Sequence, residues 1–301
     1  MKNRIIRVED VQEDMVETLL NGHEKGSTTY IPEIDEIWTH RRGELNLWTG
    51  LSNQGKGTML RFLLLIKCLE ESIKSCFYAP EDSPAQWFYN ELIHTLSGRS
   101  TDKDHPNFIG PDLYAKCLEI IKPLFTFIHI PVPNNTVEAI VTVWRELKES
   151  DNSYKYFVID PHVRVSRSNK ADNRDDLQAA YFMGILNDFL RDYPDCIVHV
   201  VLHQQTPKKN ESGNYDKPSG YQVKQGGSFF DTTDNLLLIY RPNYGKDKRD
   251  THCVIESEKI RRQKLVGLPG KCDFRFNPKT NRYVDYNNPA IDIYDFSKHL
   301  K

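Results

Sequence analysis

The chain has 301 residues, with 40 basic against 42 acidic side chains, and 39% of its residues are hydrophobic. Disorder goes with low hydrophobicity and high net charge, and neither holds here, so a packed core is expected. Apolar runs such as residues 62–66 reach only five residues, against the ~18–20 that a bilayer crossing needs, so no membrane partner is expected. The near-neutral balance leaves nucleic-acid binding open, because that depends on local charge.

In chain order, residues 1–30 read as an N-terminal arm, an amphipathic helix over 1–20 followed by a loop over 21–29. The first fifteen residues turn acidic by the ninth and lack an apolar core, so no secretory signal is read there. Residues 31–301 read as one large α/β domain. Strands are predicted at 44–48, 75–79, 125–130, 156–159 and 197–202, and helices at 56–71, 84–96, 111–121, 136–149 and 174–192. That alternation implies crossover units and a mainly parallel sheet. Ser83, Pro84 and Gln86 spell a cap, a first-turn proline and a capping box for the second helix. After residue 230 the pattern changes to strands at 236–240, 251–256, 271–276 and 282–285 joined by turn residues, an antiparallel C-terminal flank. Six cysteines (Cys68, Cys76, Cys117, Cys196, Cys253 and Cys272) lack paired spacing and sit mostly in apolar stretches. They read as buried, reduced thiols of a cytoplasmic protein.

The sharpest motif is WTGLSNQGKGTML at 48–60. Gly50 and Gly55 enclose Leu51, Ser52, Asn53 and Gln54, and Lys56 follows, between an apolar strand and an apolar helix. Glycines permit the tight turn, successive N–H groups face phosphate oxygens, and the helix N-terminus adds positive potential. Lys56 is placed to reach the β- and γ-phosphates of a nucleotide. The usual pattern has Ser or Thr directly after the lysine to bind Mg²⁺, but here Gly57 stands there and Thr58 comes one later. Neighbouring helical residues point about 100° apart, so Thr58 does not automatically inherit the metal. Either the loop shifts, or water and an acidic partner hold the Mg²⁺. Asp160, ending the strand YFVID, reads either as that partner or as a strand-end cap of the next turn. Glu81, ending KSCFYAPE, reads either as the base that orients attacking water or as a surface residue before a capping box.

These elements, with VVLHQQ, KQGGSFFDTTDNLLLIYR, EKIRR and GLPGKCDFRFNPKTNRY in that order, resemble the RecA-like, ring-shaped replicative helicases of the DnaB family, especially the Twinkle and phage primase–helicase branch. The likeness runs from about residue 42 to 286. It implies a RecA-like P-loop NTPase core binding ATP or another NTP or dNTP with Mg²⁺. It implies hydrolysis at the subunit interfaces of a homo-hexamer that moves along single-stranded DNA. By the same resemblance Lys56 and Asp160 serve nucleotide and Mg²⁺, Thr58 standing as a further metal candidate. Glu81 is the general base, and His203 senses the γ-phosphate. Arg241 packs on the nucleotide base. Lys259 and Arg261 reach a neighbouring subunit's site, with Arg261 as the arginine finger and Arg262 a substitute for it. The loop after His203 lines the DNA channel, with Lys208, Lys209 and Lys224 on the backbone and Gly226 and Gly227 offering bare N–H groups. The loop over 162–174, with Arg164, Arg167 and Lys170, is either a second channel loop or a solvated lid. With 49 residues before the motif there is no room for a primase domain or helical collar, so a separate primase or loader is an expected partner, and the arm reads as a helix docking on the next subunit. Two other readings share the same machinery: a filament-forming recombination or loading ATPase, and a weakly catalytic nucleotide-dependent DNA-binding module suggested by Gly57.

Overall fold

The computed structural model describes residues 5–205, 209–211, 213–224 and 228–301. The helices are α1 (Gln12–Asn21), α2 (Pro32–Ile37), α3 (Lys56–Glu71), α4 (Ala85–Ser97), α5 (Pro111–Ile121), α6 (Val137–Ser150), α7 (Asp175–Asp192), α8 (Ser228–Thr232) and α9 (Gln263–Val266). The strands are β1 (Leu45–Thr49), β2 (Lys74–Tyr78), β3 (Phe125–Phe127), β4 (Tyr154–Ile159), β5 (Ile197–Val201), β6 (Asn235–Tyr240), β7 (His252–Ile260), β8 (Gly270–Asn277) and β9 (Arg282–Asp285). Together they form one nine-stranded sheet in the order β3-β2-β4-β5-β1-β6-β7-β8-β9. Strands from β3 to β6 in that order pair in parallel, and β7, β8 and β9 continue antiparallel.

The physical cause is visible in the strands. All five residues of β1, all six of β6 and all five of β5 are buried, as strands covered by helices on both faces must be. One face packs α2, α3, α4 and α5 through residues such as Ile37, Leu63, Phe88 and Ile121. The other packs α6, α7 and α8 through Trp144, Leu186 and Phe229. Helix α3 is buried over almost its whole girth because it lies between the sheet and α4. All six cysteines are free and buried. Among the described residues no helix is long and apolar enough to cross a membrane.

Four local expectations are corrected. Strand β3 stops at Phe127, three residues short of the expected end. Strand β7 runs on to Ile260 because β6 keeps pairing with it as far as Asn235 opposite Ile260, which the polar run after Ile255 disguised. The predicted capping box does not form: Pro84 is extended (φ −72°, ψ 155°), so it is the N-cap, and α4 starts at Ala85 with no side-chain cap. The helix expected over 1–20 begins only at Gln12, and a short 3₁₀ turn at Val8–Asp10 precedes it. None of the residues of α1 is buried, so none of the described residues covers its apolar face.

Candidate nucleotide site

The phosphate loop leaves the carboxyl end of the central strand β1 and enters α3, the position at which ligands bind in open parallel sheets. Gly50 passes so close to Ile239 that a Cβ would lie under 3.0 Å from its carbonyl oxygen. Gly55 is left-handed (φ 90°), a conformation glycine adopts without the Cβ penalty, and it sets the head of α3. Lys56 is only 6% exposed, and its Nζ donates to the Leu51 carbonyl at 2.9 Å, closing the loop on itself. Burial pulls its ammonium down to about 8, against the opposing pull of Asp160 and Glu81.

A cleft of about 240 Å³ opens beside the loop, lined by Ser52, Asn53, Gly55, Lys56, Gly57, Thr58, Glu81, Asp160 and His203. Nine of the expected residues thus meet in one place, delivered by four different strand ends. Asp160 follows β4, and its N–H donates to the Tyr78 carbonyl at 2.9 Å. Burial lifts its carboxyl to about 6, with Arg61 pulling the other way. Glu81 stands in the 3₁₀ turn Pro80–Asp82 after β2, exposed, and accepts from Arg164 Nε at 2.7 Å. His203 follows β5, and burial, then Lys56, keeps its imidazole below the usual value. Its carbonyl accepts the Lys224 N–H at 2.8 Å, so the cleft-lining histidine and the lysine-bearing loop are joined by backbone.

Gln54 and Arg241 meet elsewhere. Gln54 is buried and its Oε1 accepts the Arg241 N–H at 3.0 Å, and both line an adjoining cleft of about 320 Å³. The Arg241 guanidinium donates to the carbonyls of Lys248 and Asp250 and lies 4.7 Å from the Tyr244 ring. In the lysine loop, Lys209 Nζ donates to the Gly245 carbonyl at 3.1 Å. Lys208, Gly226 and Gly227 lie outside the described residues.

Lys259 and Arg261 are at the opposite edge of the sheet. Asn46 pairs with Asn235, and Asn235 with Ile260, so Arg261 follows at the amino end of β1 while Lys56 follows its carboxyl end. Five residues of strand separate them by roughly 17 Å. Arg261 is 62% exposed and its side chain pairs, among the described residues, with Asp234 alone, at 3.1 Å. Arg262 is 37% exposed and clamped between Glu44 and Asp234. Lys259 Nζ donates to the carbonyls of Phe230 and Asp231.

Sequence reasoning misses the roles of three residues. Arg61 pairs with Asp82 and lies 4.0 Å from Asp160. Its spacing of four from Gly57 on α3 is the available signal. Arg164, expected as a loop cation, instead holds Glu81. Gln204, buried, donates from Nε2 to Thr49 Oγ1 and to the Ser219 carbonyl, tying the loop strand to the lysine loop. Among the described residues no cluster of three or more His, Cys, Asp or Glu could hold a metal unaided. A nucleotide-borne Mg²⁺ fits better, since it keeps waters and phosphate oxygens and needs only one or two carboxylates. Asp160, against the head of α3, would be one such carboxylate.

No family model and no curated protein sequence matches the chain. Solved structures do. One of them, described as an ATPase domain, superposes with TM-score 0.74 at 14% identity, covering 94% of this chain and 99% of that one. A DnaB-like replicative helicase, described with its interactions with primase, gives 0.73 at 13%, over 93% of this chain and 68% of that one. The RadB recombinase gives 0.53 at 15%, over 84% and 97%. Sheet order, loop position and these superpositions together show that the chain shares its fold, a RecA-like α/β core, with that ATPase domain and with the DnaB-like helicase.

Proposed function

We propose that this chain is an NTP-hydrolysing motor that assembles on single-stranded DNA as a ring, completing each site across a subunit interface. One observation carries the reading. Lys56, Asp160, Glu81 and His203 converge on one cleft, while Arg261, exposed and with a single partner among the described residues, stands at the far edge of the sheet where it cannot serve that cleft.

Loop N–H groups and Lys56 hold the β- and γ-phosphates, the ammonium exchanging the Leu51 carbonyl for phosphate oxygen. Glu81 orients a water and takes its proton as the new P–O bond forms and the bridging bond to the β-phosphate breaks. Bound Mg²⁺ would neutralise charge on the β- and γ-oxygens, with Asp160 facing it. Arg261 of a second copy stabilises the charge that develops on the transferred group. His203 passes the presence of the γ-phosphate to Lys224 through their backbone hydrogen bond, changing the grip of the lysine loop on DNA phosphates. The uncovered apolar residues of α1, Leu19 at 82% exposure and Leu20 at 76%, suit docking on the next subunit. A separate primase or loader remains the expected partner.

The test is subunit mixing. Lys56→Ala and Arg261→Ala are each expected to be inactive alone and to regain NTPase activity when mixed, because one interface type then carries both intact residues. Failure to complement, with both variants folded, refutes hydrolysis across the interface. The likeness to a recombinase keeps a filament as the second reading. Electron microscopy with oligo-dT and a non-hydrolysable nucleotide distinguishes closed rings from helical fibres.

A further inference from the structure

Where the phosphate-loop pattern normally has a hydroxyl, this chain has Gly57, and the space is filled by another residue. A Cβ built at Gly57 would lie under 3.0 Å from Asp160 Oδ2, closer than real Cβ atoms come, and 3.3 Å from its Cγ. The Asp160 carboxylate thus occupies the space that a side chain at Gly57 would take. Asp160 has little room to retreat. Its backbone, just past β4, is tied to Tyr78 at the end of β2, and its carboxylate lies 4.0 Å from Arg61 Nη1, which a Cβ on Gly57 would also approach, at 3.6 Å. Arg61 is in turn held by Asp82, so the group beside the carboxylate is itself fixed.

We infer that Gly57 is the residue that admits Asp160 to the head of α3, where its carboxylate replaces the missing hydroxyl as the protein's oxygen ligand for the divalent cation of a bound nucleotide. The inference rests on the nucleotide reading above. Its chemistry is that of a hard cation choosing oxygen, for which a carboxylate is at least as good a ligand as a hydroxyl. Two consequences separate it from a loop that has merely lost a ligand. Restoring the usual residue should damage the site, because the new side chain and Asp160 compete for one volume. Alanine, which adds no ligand at all, should do the same harm.

The experiment uses the full chain and a fluorescent ATP analogue, titrated in EDTA and in Mg²⁺, with thermal unfolding followed for each variant. Gly57→Ser and Gly57→Ala are expected to keep metal-free binding, which Lys56 and the loop N–H groups supply. Both are expected to lose about tenfold or more of the affinity that Mg²⁺ adds. Asp160→Asn, nearly the same shape and so safe for folding, is expected to lose that gain too. Mn²⁺ paramagnetic resonance of the ternary complex should show weaker metal retention in all three. The inference is overturned if Gly57→Ser binds Mg²⁺–nucleotide as tightly as the unaltered chain or more tightly, or if Asp160→Asn keeps the full gain. Should the Gly57 variants fail to fold, Asp160→Asn alone decides. An unaltered chain that binds no nucleotide in either condition refutes the nucleotide reading itself, a distinct result.

Discussion

The two edges of the parallel sheet are built from similar residue types and do different things. At the carboxyl edge, Lys56, Arg61, Asp160, Glu81 and His203 surround an open cleft. At the amino edge, Arg41, Arg262, Glu44, Asp234 and Asn235 close on one another. Glu44 is buried there, its carboxyl raised by burial, and three donors satisfy it. Charge at the amino edge closes on itself, and charge at the carboxyl edge, though partly paired, lines an open cleft. Arg261 is the exception on its edge, mostly exposed beside a neighbour that is held on two sides. The lesson is that residue type alone does not tell an exposed, lightly paired cation such as Arg261 from a clamped one such as Arg262; the partners do.

The adjacent arginines sharpen that contrast most. Arg261→Ala is expected to lower turnover by about 10³-fold or more, with nucleotide binding and unfolding temperature unchanged, if it acts as a finger. A variant that keeps turnover breaks the distinction between the two arginines. One face of the sheet also carries a cluster of buried rings, Trp38, His40, Trp48, Tyr156 and His199. His199 accepts from Trp48 Nε1 at 3.0 Å, and burial holds its imidazole down to about 3. Burial keeps His40 neutral as well. Unfolded histidine binds a proton below about 6.5, and the folded ring at His199 only near 3, so the unfolded state gains protons first as pH falls. Stability is therefore full above pH ~6.5 and declines from there towards about 3, by about 2 kcal/mol at pH 5 for this ring alone. His199→Asn, which keeps an acceptor for Trp48 but does not titrate, is expected to flatten that decline in urea titrations at pH 7 and pH 5; an unchanged slope would assign it elsewhere.

Arg262→Ala is the complementary variant, acting on the fold and not on chemistry. It leaves buried Glu44 with Arg41 and Asn235 only, and the expected loss is about 1–2 kcal/mol, below the 3–5 of a fully buried broken pair because Arg262 is 37% exposed. Turnover per folded molecule should be unaltered. A large drop in turnover with unchanged stability would reverse the roles assigned to the two arginines.

Much of this was legible in sequence. Buried parallel strands are continuous apolar runs and crossover helices carry a 3.6-residue period, so element positions and the antiparallel flank could be read, and helices 56–71 and 111–121 match residue for residue. Misreadings fell where local and tertiary signals disagree. The polar stretch Glu256–Ser257–Glu258–Lys259 continues a strand because β6 pairs along it to Ile260, with β8 on its other side only as far as Ser257. Ser83 and Pro84 spell a helix start that the backbone places one residue later.

The phosphate loop, the burial of the cysteines and the α/β class were determined by the sequence itself, because each depends on neighbours in the chain: glycine spacing, apolar period and the absence of paired thiol spacing. Which carboxylate fills the gap left by Gly57, which arginine is spent on Glu44, and which cation holds Glu81 were decided only by the tertiary structure. Those partners are separated by 103, 218 and 83 positions along the chain, and their pairing is set by the order in which strands lie in the sheet.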